Sequence, residues 1–441
     1  MASSPFDLLP KVAWGKGLYI HDADGNRYLD GSGGPATFCL GHGNEEVNAA
    51  IKEQLDKIAF GYRYHFRSDA AEELQQIVAE EGGGNLKNCI FTTGGSESVE
   101  SCLKLALQYH TARGETSRRR FISRERSWHG NTLGALSVSG FLQRQQPYFG
   151  SLLEVSHLSP VNAYRPPEGV APEDVAEYCA NELDEEIRRL GAEKVAAFIF
   201  EPVVGAAGGA VPAPEGYAQR IREICDRHGV LMIADEVMCG VGRCGTWRAL
   251  QHDGVEPDIM SIAKGLGGGY LPLGAAVYTD KVAEPIMRVH GMPITGHTFT
   301  AHTTSCAAGV AVQKILKRDG LVDRVAREGV YLRERIESAL GQHPHVGDIR
   351  GRGFFQGIEL VEDRETKEPF PADLRLFFRV AKESLAGGLI CYPTGGNVDG
   401  IKGDQIIIAP AYNATRDEMD EIVDLLVPAI NRAIASTRQA A

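Results

Sequence analysis

The chain has 441 residues, enough for roughly two or three domains around a sizeable core. Its 43% apolar and 24% charged residues suit an ordinary globular protein, and a net charge of −12 argues against a nucleic-acid surface. Nine scattered cysteines without metal-type spacing point to reduced thiols in a cytosol-like compartment, so a cytoplasmic protein without a metal site is expected.

The first residues, Met1-Ala2-Ser3-Ser4-Pro5-Phe6-Asp7, carry no charged and then apolar run, so no secretory leader is expected. Short strands at 18–21 and 28–31 flank the turn signal Asp24-Gly25-Asn26. A helix over 45–58 follows from Val47, Ile51, Leu55 and Ile58 on one stripe. From about residue 70 helices and strands alternate. Helices are predicted over 70–80, 98–113, 174–190 and 216–228; strands over 89–92, 120–122, 196–200, 230–234, 259–262 and 275–278. Such alternation implies an α/β fold with a mostly parallel central sheet covered by helices on both faces.

The basic run Arg118-Arg119-Arg120 reads as a solvated turn or helix end. Residues 195–214 are almost wholly apolar, yet Glu201, Pro202, Pro212, Pro214 and several glycines do not suit a membrane span. A buried strand entering a small-residue loop fits better. Beyond helices at 302–317 and 321–340, strands at 346–351 and 354–360, a helix at 374–385, strands at 389–392 and 405–409 and a helix at 416–437 suggest a smaller α+β unit. The expected division is 1–69, 70–318 and 319–441, with the first and last segments forming the small domain. Residues 395–403 are the candidate mobile loop.

Lys264 closes the strand-like run 257–263 and is followed at once by Gly265-Leu266-Gly267-Gly268-Gly269. Ligands of open α/β sheets bind at such strand ends. A partly desolvated amine there can lose its proton and form a Schiff base with an aldehyde. Asp235 closes the run 229–234, where a carboxylate can pair with a pyridinium nitrogen, and Val237 falls on the same side. Glu201 closes a neighbouring strand in the same way. Thr93-Gly94-Gly95-Ser96 lies between a strand and a helix, where free N–H groups bind phosphate. Trp128, beside His129 and Gly130, could stack on a flat ring. Singly, each has an ordinary reading: a solvated lysine, a helix cap, a core tryptophan. The Gly-x-Gly-x-x-Gly pattern of dinucleotide enzymes is missing from the glycine segment.

Together these pieces resemble the class III pyridoxal-phosphate aminotransferases, the ω-aminotransferase group of fold type I. The resemblance runs from Tyr28-Leu29-Asp30-Gly31 and Leu40-Gly41-His42-Gly43 through Gly94-Gly95-Ser96-Glu97 and Trp128-His129-Gly130. It continues through Glu201-Pro202-Val203, Asp235-Glu236-Val237, Gly242-Arg243-Cys244-Gly245, Ala263-Lys264-Gly265 and Thr298-Phe299 to Ala409-Pro410. It implies pyridoxal 5'-phosphate joined to Lys264, which also shuttles a proton, with Asp235 on the ring nitrogen and Glu201 near the ring. Gly95 and Ser96 would hold the phosphate, Trp128 and Val237 the two ring faces, with His129 beside them. Thr298 would reach the phosphate of a neighbouring subunit's cofactor, which implies a homodimer or a dimer of dimers with shared sites.

The resemblance further implies ping-pong transfer of an amino group from an ω-amino acid or amine to pyruvate or 2-oxoglutarate. Racemases, aminomutases and decarboxylases of the same fold are the alternative. Small-molecule donor and acceptor are the expected partners, with no nucleic acid and no membrane. The arginine that binds the α-carboxylate in the acetylornithine branch is absent from Ile407 and its neighbours, which counts against an ornithine-like substrate. Arg63, Arg350 and Lys402 are candidates for substrate carboxylates, and Phe38 and Tyr64 for the pocket wall.

Overall fold

The computed structural model describes residues 9–438, so the Met1–Asp7 stretch on which the leader reading rests lies outside them. Seven strands make the central sheet. They are β1 (Leu86–Thr92), β2 (Arg120–Arg124), β3 (Val155–Leu158), β4 (Val195–Phe200), β5 (Leu231–Asp235), β6 (Ile259–Ile262) and β7 (Gly274–Thr279). Their order is β1-β7-β6-β5-β4-β2-β3. Every residue of β4, β5 and β6 is buried, so these strands read as continuous apolar runs without alternation.

All neighbours pair in parallel except β7, which runs antiparallel to both β6 and β1. The cause is local. Between Ile262 and Gly274 the chain holds only one 3-10 turn, Lys264–Leu266, and a glycine-rich loop. A parallel return needs a crossover of about a dozen residues or more, usually helical. The sheet is therefore mostly parallel with one reversed strand.

The elements that escaped the sequence reading include the strand Val12–Lys16, β3, the single helical turn Leu142–Gln145 and the helices Leu133–Val138 and Asp280–His290. β3 is a short edge strand with two polar residues, too brief to show a period. The last helix contains Pro285, which normally signals a break. Helix α1 (Gly95–Ala112) begins at Gly95, not at the expected 98, directly after the extended Gly94. The basic run is solvated only in part, since Arg119 is exposed while its neighbours are tied into the fold. Arg118 donates to the carbonyls of Ala192, Val195 and His228 at 2.7, 2.9 and 3.1 Å, and Arg120 opens β2.

The N- and C-terminal segments share a four-stranded sheet. Leu389–Ile390 pairs in parallel with Leu29 and Asp30, beside Val12–Lys16 and Tyr19–Asp22. A second four-stranded sheet, antiparallel throughout, joins Val346–Arg352, Phe355–Leu360, Asp404–Ile408 and Tyr392–Gly395. Arg243 ties this region to the N-terminal loop. It is 1% exposed and donates to the carbonyls of Phe38, Phe354 and Pro410 at 3.1, 3.2 and 2.6 Å.

The expected mobile loop is internally bonded. Gly396 N–H donates to Gly403 O, and Asp399 accepts from the N–H groups of Ile401 and Lys402. Among the described residues no helix is long and apolar enough to cross a membrane, and no cluster of His, Cys, Asp or Glu could hold a metal ion.

Candidate active site

Strand register builds the site. In the pairing of β4, β5 and β6, Phe200 faces Ala234 and Asp235 faces Ser261. Glu201, Asp235 and Lys264 therefore leave the sheet at one edge, on three adjacent strands. A cavity of 430 Å³ opens there, within the usual range for small-molecule sites. Glu201, Asp235, Val237 and Lys264 line it together with Gly94, Gly95, Ser96, Trp128 and His129.

Lys264 sits at φ +42°, a backbone conformation uncommon for a side chain other than glycine. There the chain leaves β6 in the 3-10 turn Lys264–Leu266, and Lys264 lines the cavity at the strand ends. Burial pulls its amine down to about 8, while Asp235 and Glu201 pull the other way. An amine so placed is half neutral at a pH of about 8, well below the ordinary lysine range.

Asp235 is 3% exposed and accepts three hydrogen bonds. Val237 N–H and Ser261 Oγ donate to Oδ1 at 3.0 and 3.1 Å, and His129 Nδ1 lies 2.7 Å from Oδ2. With Nδ1–H as the donor, His129 fixes the carboxylate from behind; its Nε2 is buried without a partner among the described residues. Glu201 receives Trp128 N–H and Gly205 N–H at 2.9 and 2.8 Å, yet burial still pushes its carboxyl up to about 7. It can therefore carry a proton near neutral pH.

Opposite these acids, α1 presents its N-terminus. No atom lies within 4 Å of a Cβ built on Gly94, so this stretch is bare backbone facing open space. At Gly95 a Cβ would come 2.9 Å from Val237 Cγ1, so glycine lets that side chain close over the helix start. Ser96 Oγ accepts from Asn131 N–H at 2.9 Å, leaving its own proton to donate elsewhere. Thr93 donates through both N–H and Oγ1 to Glu97, at 2.9 and 2.7 Å, which stiffens the turn. Trp128 meets Phe141 edge to face, with ring centres 5.9 Å apart.

Thr298 is exposed and does not line the cavity of its own chain. Arg350 is not available to a substrate. It pairs with Glu359 and Asp348 at 2.6 and 2.9 Å and donates to Gly208 O and Gly209 O. Arg63 stacks on Tyr64, 4.9 Å from the ring centre, and Lys402 lies on the surface 3.9 Å from Glu368. None of the three lines the cavity. Tyr64 is 58% exposed and also outside it, while Phe38 packs behind Gly269 and its neighbour Thr37 takes the lining position. Ser261 and Met238 join the site without having been singled out; only their places beside Asp235 and Val237 could have marked them.

The family model for class-III aminotransferases matches residues 5–430. An uncharacterized aminotransferase of Schizosaccharomyces pombe is 41% identical over 436 residues, covering 98% of this chain and 95% of that protein. Diaminobutyrate--2-oxoglutarate transaminase of Halomonas elongata is 34% identical over 439 residues, covering 98% and 92%. An amine transaminase from an uncultivated Pseudomonas species, solved in its PLP-bound form, superposes with a TM-score of 0.91 at 35% identity, covering 98% of this chain and 97% of that one. Family, full-length relatives and fold agree: the chain belongs to the class III aminotransferases and is a pyridoxal-phosphate-dependent transaminase.

Proposed function

We propose that the enzyme takes an amino group from an ω-amino acid or amine and passes it to pyruvate or 2-oxoglutarate in a ping-pong cycle. The observation that carries this reading is the meeting of Glu201, Asp235 and Lys264 at adjacent strand ends, opposite the bare backbone of Gly94 and Gly95. The donor class is supported by Asp404–Ile408, a wholly buried strand whose Gln405, Ile406, Ile407 and Ile408 offer no arginine for an α-carboxylate. The amine transaminase and the diaminobutyrate transaminase above point the same way.

The residues suit the cofactor. Gly95 and Ser96 would hold its phosphate at the start of α1, where the first N–H groups have no helical partner. Trp128 and Val237 would cover the two ring faces, and Asp235, oriented by His129, would keep the ring nitrogen protonated. When bound, pyridoxal phosphate supplies an aldehyde that takes up amines and a ring that stabilises negative charge on the substrate carbon. Lys264, with its amine near 8, gives up its own proton readily. Its Nζ would take a proton from the substrate carbon that bears the amino group and would later give that proton back. Glu201 holds or releases a proton within reach of the same cavity as the charge there changes.

The proposed assembly is a homodimer in which Thr298 of the partner subunit completes the phosphate site. Tyr62, Tyr64, Phe66, Ile294 and Phe299 are all exposed, and an apolar surface of this kind near Thr298 suits burial against a second copy.

A donor panel tests the reading. β-Alanine, 4-aminobutyrate, taurine, a diamine and 1-phenylethylamine are each offered with pyruvate or 2-oxoglutarate, following the visible band of bound cofactor and the new amino acid. The expected outcome is bleaching by at least one donor and stoichiometric amino-acid formation. Turnover without any keto acid would instead favour a racemase or mutase.

A further inference from the structure

We propose that Arg144 is the side chain that receives the substrate's carboxylate, and so sets a preference for ω-amino acids over plain amines. This rests on the reading of donor and acceptor just given. A keto-acid acceptor always brings a carboxylate, and an ω-amino acid donor brings one some distance from its amine. The site needs a cation that is not already committed.

The nearby candidates are committed. Arg350 is held by Glu359, Asp348 and two carbonyls, and Arg243 by three carbonyls. Arg126 pairs with Glu125 at 3.0 Å and donates to Val398 O. Arg63 donates to Tyr64 Oη and Thr295 O. Arg144 differs. It is exposed, and among the described residues it has neither an ion pair nor a side-chain hydrogen bond, while its guanidinium lies 5.8 Å from the Trp128 ring centre and 6.0 Å from that of Phe141. Arg144 does not line the cavity either, but unlike the other candidates it rests against Trp128, which is a wall of it.

The element carrying Arg144 is anchored, so the arm has a fixed root. α2 (Leu142–Gln145) is a single turn between buried Phe141 and buried Gln145, whose amide donates to Leu136 O at 3.1 Å. The loop at 396–400 closes on the same turn. A Cβ on Gly396 would come 2.8 Å from Gln143 Nε2, and one on Gly400 would come 2.9 Å from Leu142 Cβ. Glycine at both places lets the loop approach α2 while Arg144 keeps its freedom. The half-buried Tyr392 is close enough for the Arg144 charge to offset part of the rise that burial gives its hydroxyl.

A guanidinium resting on aromatic faces is held more weakly than one making two charge-assisted bonds to a carboxylate. Arg144 is thus parked on Trp128 and Phe141 while no anion is present, and its long side chain can swing to a carboxylate entering beside Trp128. With an uncharged donor it stays parked.

Half-reactions separate the effects. Arg144→Leu and Arg144→Lys holoenzymes are mixed with β-alanine, 4-aminobutyrate or 1-phenylethylamine without acceptor, and bleaching of the bound-cofactor band is timed. The expected result is an about ten- to hundred-fold lower second-order rate constant for the two amino acids in Arg144→Leu. Arg144→Lys should be intermediate, 1-phenylethylamine unaffected, and the cofactor spectrum and melting temperature unchanged. Equal losses for charged and uncharged donors, or no loss for either, would overturn the assignment to Arg144 alone. If no donor bleaches the wild-type band, the donor reading fails and this inference fails with it.

Discussion

At the scale of single residues, the chemistry follows from how burial sets two ionisable groups against one another. Burial lowers Lys264 to about 8 and raises Glu201 to about 7, so both sit close to neutrality. A nearby carboxylate favours the ammonium form, so Glu201 holds the lysine higher than burial alone would leave it. Neutralising that carboxylate should lower it. In apo-enzyme, cofactor uptake is therefore expected to rise with pH through about 8, and Glu201→Gln should move the midpoint downward. Stopped-flow uptake across pH gives both midpoints. A wild-type midpoint near 10.5, the ordinary lysine value, would contradict the burial account.

Lys264, Asp235 and Glu201 were legible because each is the first charged residue after an apolar run, and β4, β5 and β6 are those runs. The commitment of Arg350 was not legible. Asp348 is a local partner and Glu359 lies on the next strand, but Gly208 and Gly209 come from a distant stretch, and local pattern cannot report that meeting.

At the scale of elements, two neighbouring glycines at the start of α1 do different work. Gly95 is needed because Val237 closes over it; Gly94 has open space where a side chain would go, and its backbone is extended, a conformation any residue adopts. Gly94→Ala should therefore leave the melting temperature of the apo-enzyme nearly unchanged. The added methyl group would nevertheless intrude on the cavity where an anion is expected, and cofactor affinity should drop by about tenfold, roughly the effect of one lost hydrogen bond to a charged group. Thermal melts and cofactor titration distinguish this from simple destabilisation. A variant that melts lower but binds normally would place the phosphate elsewhere. The strand-to-helix turn could be read from Thr93-Gly94-Gly95-Ser96, whereas the reversal of β7 could not. It follows from the lack of a crossover helix after Ile262, and the glycine loop there reads the same for either direction.

At the scale of the whole molecule, the exposed position of Thr298, away from the cavity of its own chain, is what the proposed shared site requires, and on that proposal assembly is part of the chemistry. Subunit mixing should reveal this. Lys264→Ala and Thr298→Trp homodimers are each expected to be nearly inactive. Unfolding and refolding them together should restore activity, since one site of each mixed dimer then holds both native residues. Mixing that restores nothing would mean that each chain builds its site alone. The shared N- and C-terminal sheet was only partly foreseeable, because Leu389–Ile390 is two residues long and pairs with a strand at the other end of the chain.

The central claim is that one amine, Lys264 at the sheet edge, carries the cofactor. Borohydride reduction of the holoenzyme followed by peptide mapping addresses it most directly. The reduced pyridoxyl group should be found on the peptide containing Lys264 and on no other. Reduction that fixes the label to a different lysine, or to none, would contradict the account.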